Sequence, residues 1–168
     1  AVSVLNKDFR KLNSDTNQTV PAFKSIAADV EIEFRLAQKD PQGNCTNGID
    51  RIVSPETEVG DDGSKLNPWP RNKYLNVWVV KTISSGAAGF ALLPGTAQWA
   101  PASDGIMILS TYVGSIGTGN PALSRALTHE VGHWLNLRHV WGNTNTPGVA
   151  CGDDNVADTP ETARIPAE

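Results

Sequence analysis

The sequence predicts an α+β fold with an α/β-like N-terminal half, and three observations carry that reading. Residues 1–12 and 121–135 bear helix signals, one by apolar spacing and one by its start residues. Between them, 30–36, 74–80, 89–93 and 105–109 read as strands. The 168-residue length suits one ordinary domain, and no repeat or low-complexity stretch divides it.

The elements follow in order. Val2, Leu5, Phe9 and Leu12 recur at helical spacing, which predicts an amphipathic helix over 1–12. The run 30–36 (VEIEFRL) alternates apolar and charged residues, the pattern of a half-buried strand. Residues 60–71 are rich in Asp, Gly, Asn and Pro without periodicity and read as a surface loop. A strand is expected over 74–80, bounded by Asn72 and a Ser84-Ser85-Gly86 turn. The short strand 89–93 is closed by Pro94, which suits a sheet edge. The continuous apolar run 105–109 suits a central strand. Glycines 114, 117 and 119 precede the second helix, but the Lys-Ser/Thr of a phosphate loop and GxGxxG spacing are both missing. Asn120 instead suits an N-cap and Pro121 a first helical position, so a helix is expected over 121–135.

Composition excludes several classes. The net charge of −4 lacks the basic excess of a nucleic-acid or anionic-membrane binder. No apolar run approaches the ~18 residues of a membrane span. Two cysteines, Cys45 and Cys151, define no disulfide framework; mutual pairing and two buried free thiols are both open.

All three histidines fall within eleven residues, HEVGHWLNLRH, from His129 to His139. On a helix, His129 and His133 stand one turn apart on one face, because four residues advance ~400°. One zinc ion can accept both ring nitrogens at ~2.0–2.1 Å. A straight helix would carry His139 about 9 Å beyond His133, so the helix must stop and turn back. Asn136, tolerant of left-handed backbone, sits where the turn is needed. Glu130 is out of line with the pair as a ligand but placed to serve as general base toward water on the metal. Three neutral ligands and a vacant fourth position describe peptide hydrolysis without a covalent intermediate. A metal-free helix and a closed structural site using Cys151 as fourth ligand are the rival readings; the third histidine at the right offset favours the open site.

On these residues the sequence resembles the metzincin metallopeptidases, whose extended motif is H-E-x-x-H-x-x-G-x-x-H. Residues 129–142 (HEVGHWLNLRHVWG) and 151–160 (CGDDNVADTP), with 4–10 (VLNKDFR) and 32–37 (IEFRLA), resemble more narrowly the pappalysin family and its bacterial cytophagalysin-like members. The resemblance implies a zinc-dependent, secreted endopeptidase in which Glu130 activates a metal-bound water. His129, His133 and His139 would be the zinc ligands of a twisted mixed sheet backed by an active-site helix. The edge strand Gly89, Phe90, Ala91 and Leu92 would bind extended substrate. Calcium is implied at Asp153, Asp154, Val156, Asp158 and Thr159, where clustered carboxylates offer hard oxygens. Implied partners are protein or peptide substrates and a pro-segment or second fragment of the chain. Asn136 departs from the family's usual glycine. The lone Met107 lies upstream of the motif, so the family's Met-turn is absent from these residues. The expectation is a single catalytic domain over 1–168, trimmed at both ends. Its upper subdomain would span about 1–136 and a truncated C-terminal lower subdomain would begin about 137. The alternative is a non-catalytic zinc-holding, peptide-binding fragment.

Overall fold

The computed structural model describes residues 1–142 and 151–163. The expected lower subdomain therefore lies partly outside the described residues. In chain order the regular elements are α1 (Val2–Phe9), β1 (Val77–Val80), β2 (Gly89–Ala91), α2 (Pro94–Ala97), β3 (Ile106–Leu109), α3 (Ala126–Trp134), β4 (Cys151–Gly152) and β5 (Thr162–Ala163). Short 3₁₀ turns connect them.

The main sheet is mixed, in the order β1-β3-β2. β1 runs parallel to β3, and β2 runs antiparallel to it. The apolar run predicted as central is so: Ile106, Met107 and Ile108 are fully buried. At about 1.5–3 kcal/mol per buried large apolar side chain, these residues anchor the domain. The Pro-terminated strand lies at the edge, as its sequence implied. Strand register sorts the side chains onto two faces. On one, Ile106 and Ile108 pack with Leu5 and Phe9 of α1 and with Leu127 and Val131 of α3. On the other, Met107 packs with Val80, Ile83 and Phe90. Lys65 closes this second face with its side chain 1% exposed. Its ammonium donates to the Ser103 carbonyl at 2.6 Å and lies 4.7 Å from the centre of the Phe90 ring, a cation–π contact.

Two elements differ from expectation. Residues 30–36 form no strand, although their alternation is obeyed, with Ile32 and Phe34 turned to the core and Glu31, Glu33 and Arg35 exposed. The backbone of Phe34 pairs with a side chain instead: its N–H donates to Asn6 Oδ1 at 2.7 Å and its carbonyl accepts from Asn6 Nδ2 at 3.0 Å. A polar residue of α1 thus does the work of a neighbouring strand. The helix expected over 121–135 is split. Asn120 caps a 3₁₀ turn, Pro121–Leu123, by accepting from the Ala122 N–H, and α3 begins only at Ala126. The cysteines, expected buried if free, carry exposed free thiols.

α3 is fastened at both ends. Thr128 donates to Asp8 of α1 at 2.8 Å, and Arg125 pairs with Asp8 at 3.2 Å and with Asp15. At the other end the Trp134 indole donates to buried Asp104 at 3.1 Å, and Arg71 neutralises that carboxylate at 2.6 Å. These ties fix the helix that carries His129 and His133.

Candidate metal centre

The helix stops where the sequence requires it to. Asn136 adopts φ +78°. The Leu137 N–H bonds back to the Gly132 carbonyl and the Asn136 N–H to that of His133, both at 2.9 Å. This is a Schellman closure with asparagine in the left-handed position. It returns the chain so that His139 faces the helix.

Three imidazoles consequently meet at one point. The Nε2 atoms of His129 and His133 are 3.0 Å apart, those of His133 and His139 3.0 Å, and those of His129 and His139 3.2 Å. A tetrahedral ion with ~2.0–2.1 Å bonds holds its ligand atoms about 3.3 Å apart, so the spacing suits one small divalent cation. The donor set suits it too. His133 Nδ1 lies 2.7 Å from the Leu137 carbonyl, which can only accept. The proton therefore sits on Nδ1, and the Nε2 lone pair points at the common site. Crowding around the His129 ring, and then the neighbouring His133, push its pKa below the ordinary imidazole value, favouring the neutral ligand form. The His139 ring stacks on Trp141, 4.5 Å between centroids and 13° between planes, which holds its orientation. Among the described residues this trio is the one group of His, Cys, Asp or Glu side chains gathered closely enough to hold a metal. Cys151 does not join it, so no sulfur closes the site. Nor do Asp153, Asp154 and Asp158 converge: Asp154 Oδ1 accepts from the Val156 N–H and the Thr159 hydroxyl, and Asp153 Oδ1 from the Asn155 N–H.

Glu130 lies beside the trio, 6% exposed. Burial raises its carboxyl pKa above the ordinary range, opposed in part by His133. β2 runs alongside; β3 covers one of its edges, and among the described residues no strand covers the other. An open cleft of about 470 Å³ is lined by His129 and His133 of the trio together with Arg125, Thr128, Leu137 and Arg138.

The trio was legible from spacing, but its supports were not. Leu137 lies inside the motif and Trp141 two residues beyond it, yet nothing in their identity announces a hydrogen bond or a stack. Asp104 and Gly89 reach the helix only through the fold.

Known proteins place this geometry. A family model for the M43 peptidases, described as pregnancy-associated plasma protein-A, matches residues 58–166. Mature mirolysin of Tannerella forsythia, solved with a cleaved peptide, is 39% identical with a TM-score of 0.80, covering 96% of this chain and 63% of that one. An extracellular metalloprotease of Colletotrichum graminicola is 39% identical over 135 residues, 77% of this chain and 43% of its own length. One of Trichophyton verrucosum is 36% identical over 153 residues, 88% of this chain and 52% of its own. The chain thus spans about half the length of these fungal relatives. The family match covers the histidine trio and well over half of the sequence, and on that basis the chain belongs to the M43, or pappalysin, family of metallopeptidases.

Proposed function

We propose that this chain is the catalytic part of a secreted zinc endopeptidase, with an upper subdomain over about 1–136 and a lower one beginning near 137. The observation that carries the reading is the convergence of three Nε2 atoms within 3.2 Å of one another beside a buried carboxylate. His129, His133 and His139 would hold the metal. When bound, zinc supplies a Lewis acid for the scissile carbonyl and lowers the pKa of water toward ~7.

The chain's own residues do the rest. Glu130 accepts the proton of the attacking water on its carboxylate and passes it to the departing amine nitrogen, so no proton is gained or lost over the cycle. The open edge of β2, with Gly89, Phe90, Ala91 and Leu92 at and just beyond it, offers main-chain groups to an extended peptide. On that strand Phe90 packs against Val80, Ile83 and Met107 and lies under the Lys65 ammonium. The extracellular relatives support secretion, and the cleaved-peptide complex of mirolysin supports peptide substrates. A promirolysin structure, 37% identical with a TM-score of 0.84, supports a pro-segment as partner.

The test is peptide hydrolysis before and after stripping with a chelator. Cleavage should disappear on stripping and return with stoichiometric zinc. Zinc bound at one per chain with no turnover would replace this reading by a peptide-holding module. Cleavage indifferent to chelation would remove the metal from the reaction.

The loop 153–159 is proposed as a calcium site on its oxygen-rich composition and its closure by Asp154. Millimolar calcium should raise the melting temperature of the parent but not of Asp154→Ala. An equal shift in both, or none, overturns it.

A further inference from the structure

Gly89 occupies the first position of β2, opposite Ile108 of the central strand. Glycine there is unfavourable on its own account, because it lowers strand stability by roughly 0.5–1 kcal/mol relative to alanine. Its conformation does not demand glycine, since Gly89 is not among the residues with positive φ. Space does. A Cβ at this position would stand 3.1 Å from Glu130 Cγ, 3.3 Å from Glu130 Oε1 and 3.0 Å from the Met107 carbonyl oxygen. The Met107 carbonyl belongs to the fixed central strand, so a methyl group would press chiefly on the side chain that can yield, that of Glu130.

We propose that Gly89 is a positioning residue for the general base: its missing side chain leaves the slot in which the Glu130 carboxylate stem rests against the edge strand. The inference rests on the reading of Glu130 as the proton-transfer group. It adds a second role to a position already assigned to substrate pairing. Where the substrate backbone lies along β2, the same glycine sets the distance from that backbone to the carboxylate. One backbone position thereby registers substrate and base against each other, which is the kind of placement that effective proton transfer requires.

The experiment is a cycle of Gly89→Ala and Glu130→Ala, read by kinetics and by thermal unfolding. In the parent background, Gly89→Ala should lower kcat for a model peptide ~3–10-fold with KM and bound zinc unchanged, as for a displacement of a few tenths of an ångström. In metal-free protein, Gly89→Ala should lower the melting temperature by about 2–4 °C. Glu130→Ala removes the crowded atoms, so in that background less than half of the loss should remain. Should Gly89→Ala fold only when paired with Glu130→Ala, that too supports the contact. A kcat within twofold of the parent, a change in KM or zinc content that accounts for the loss, or equal melting losses in both backgrounds would overturn the proposal. A parent that hydrolyses no peptide would instead defeat the functional reading, while the unfolding cycle would still report on the contact.

Discussion

Replacing Glu130 by Gln should cost ~10²–10⁴-fold in kcat, the usual contribution of a positioned general base, and should nonetheless make the metal-free protein more stable. Both effects have one cause. Glu130 is buried, and among the described residues no lysine or arginine neutralises its carboxylate, so the folded protein favours the protonated form. A folded pKa above the unfolded one means that the folded state binds the proton more tightly. The associated stability is complete below the ordinary glutamate pKa and is lost as pH rises through the folded value. Glutamine carries no such loss. The melting temperatures of parent and Glu130→Gln should therefore coincide most closely in acid and diverge in favour of the variant as pH rises to neutrality. A variant that melts below the parent at neutral pH would mean the carboxylate is satisfied in the fold, and the base assignment would lose its physical ground.

The second large effect concerns Asn136. Valine in a left-handed conformation is strained by roughly 1–2 kcal/mol, whereas glycine adopts it freely. Asn136→Val should loosen the Schellman closure, let the Leu137 carbonyl drift from His133 Nδ1 and move His139 off the common point. Zinc affinity should fall ~10–100-fold, as when a supporting group of a metal site is lost. Asn136→Gly should bind zinc as the parent does. Competition with a chromogenic chelator measures both. Undiminished affinity in the valine variant would show that His139 returns to the site without help from that turn.

Asn136 also marks how far the sequence could be read. Helical spacing put His129 and His133 on one face, and chain length then forced a reversal before His139. Each step used rules that act within a few residues. The strand forecast for 30–36 failed for a complementary reason. Alternation reports which side chains turn inward, and Ile32 and Phe34 do. It is silent about what the backbone bonds to, and here the partner is Asn6, 28 residues away. The helix over 121–135 was foreseen with a proper cap, yet Ser124 donates its hydroxyl to the Pro121 carbonyl and the first turn stays 3₁₀. Gly89 read as a strand residue; that it leaves room for a carboxylate 41 positions later depends on the pairing of β2 with β3 and on the packing of α3 across them.

The third imidazole stands on the far side of a helix stop, so a bound ion would clasp two stretches of backbone otherwise joined by a single turn. Occupancy of the site would then contribute to the folding of residues 137–142. Emptied, the protein would lose the clasp between those two stretches of backbone.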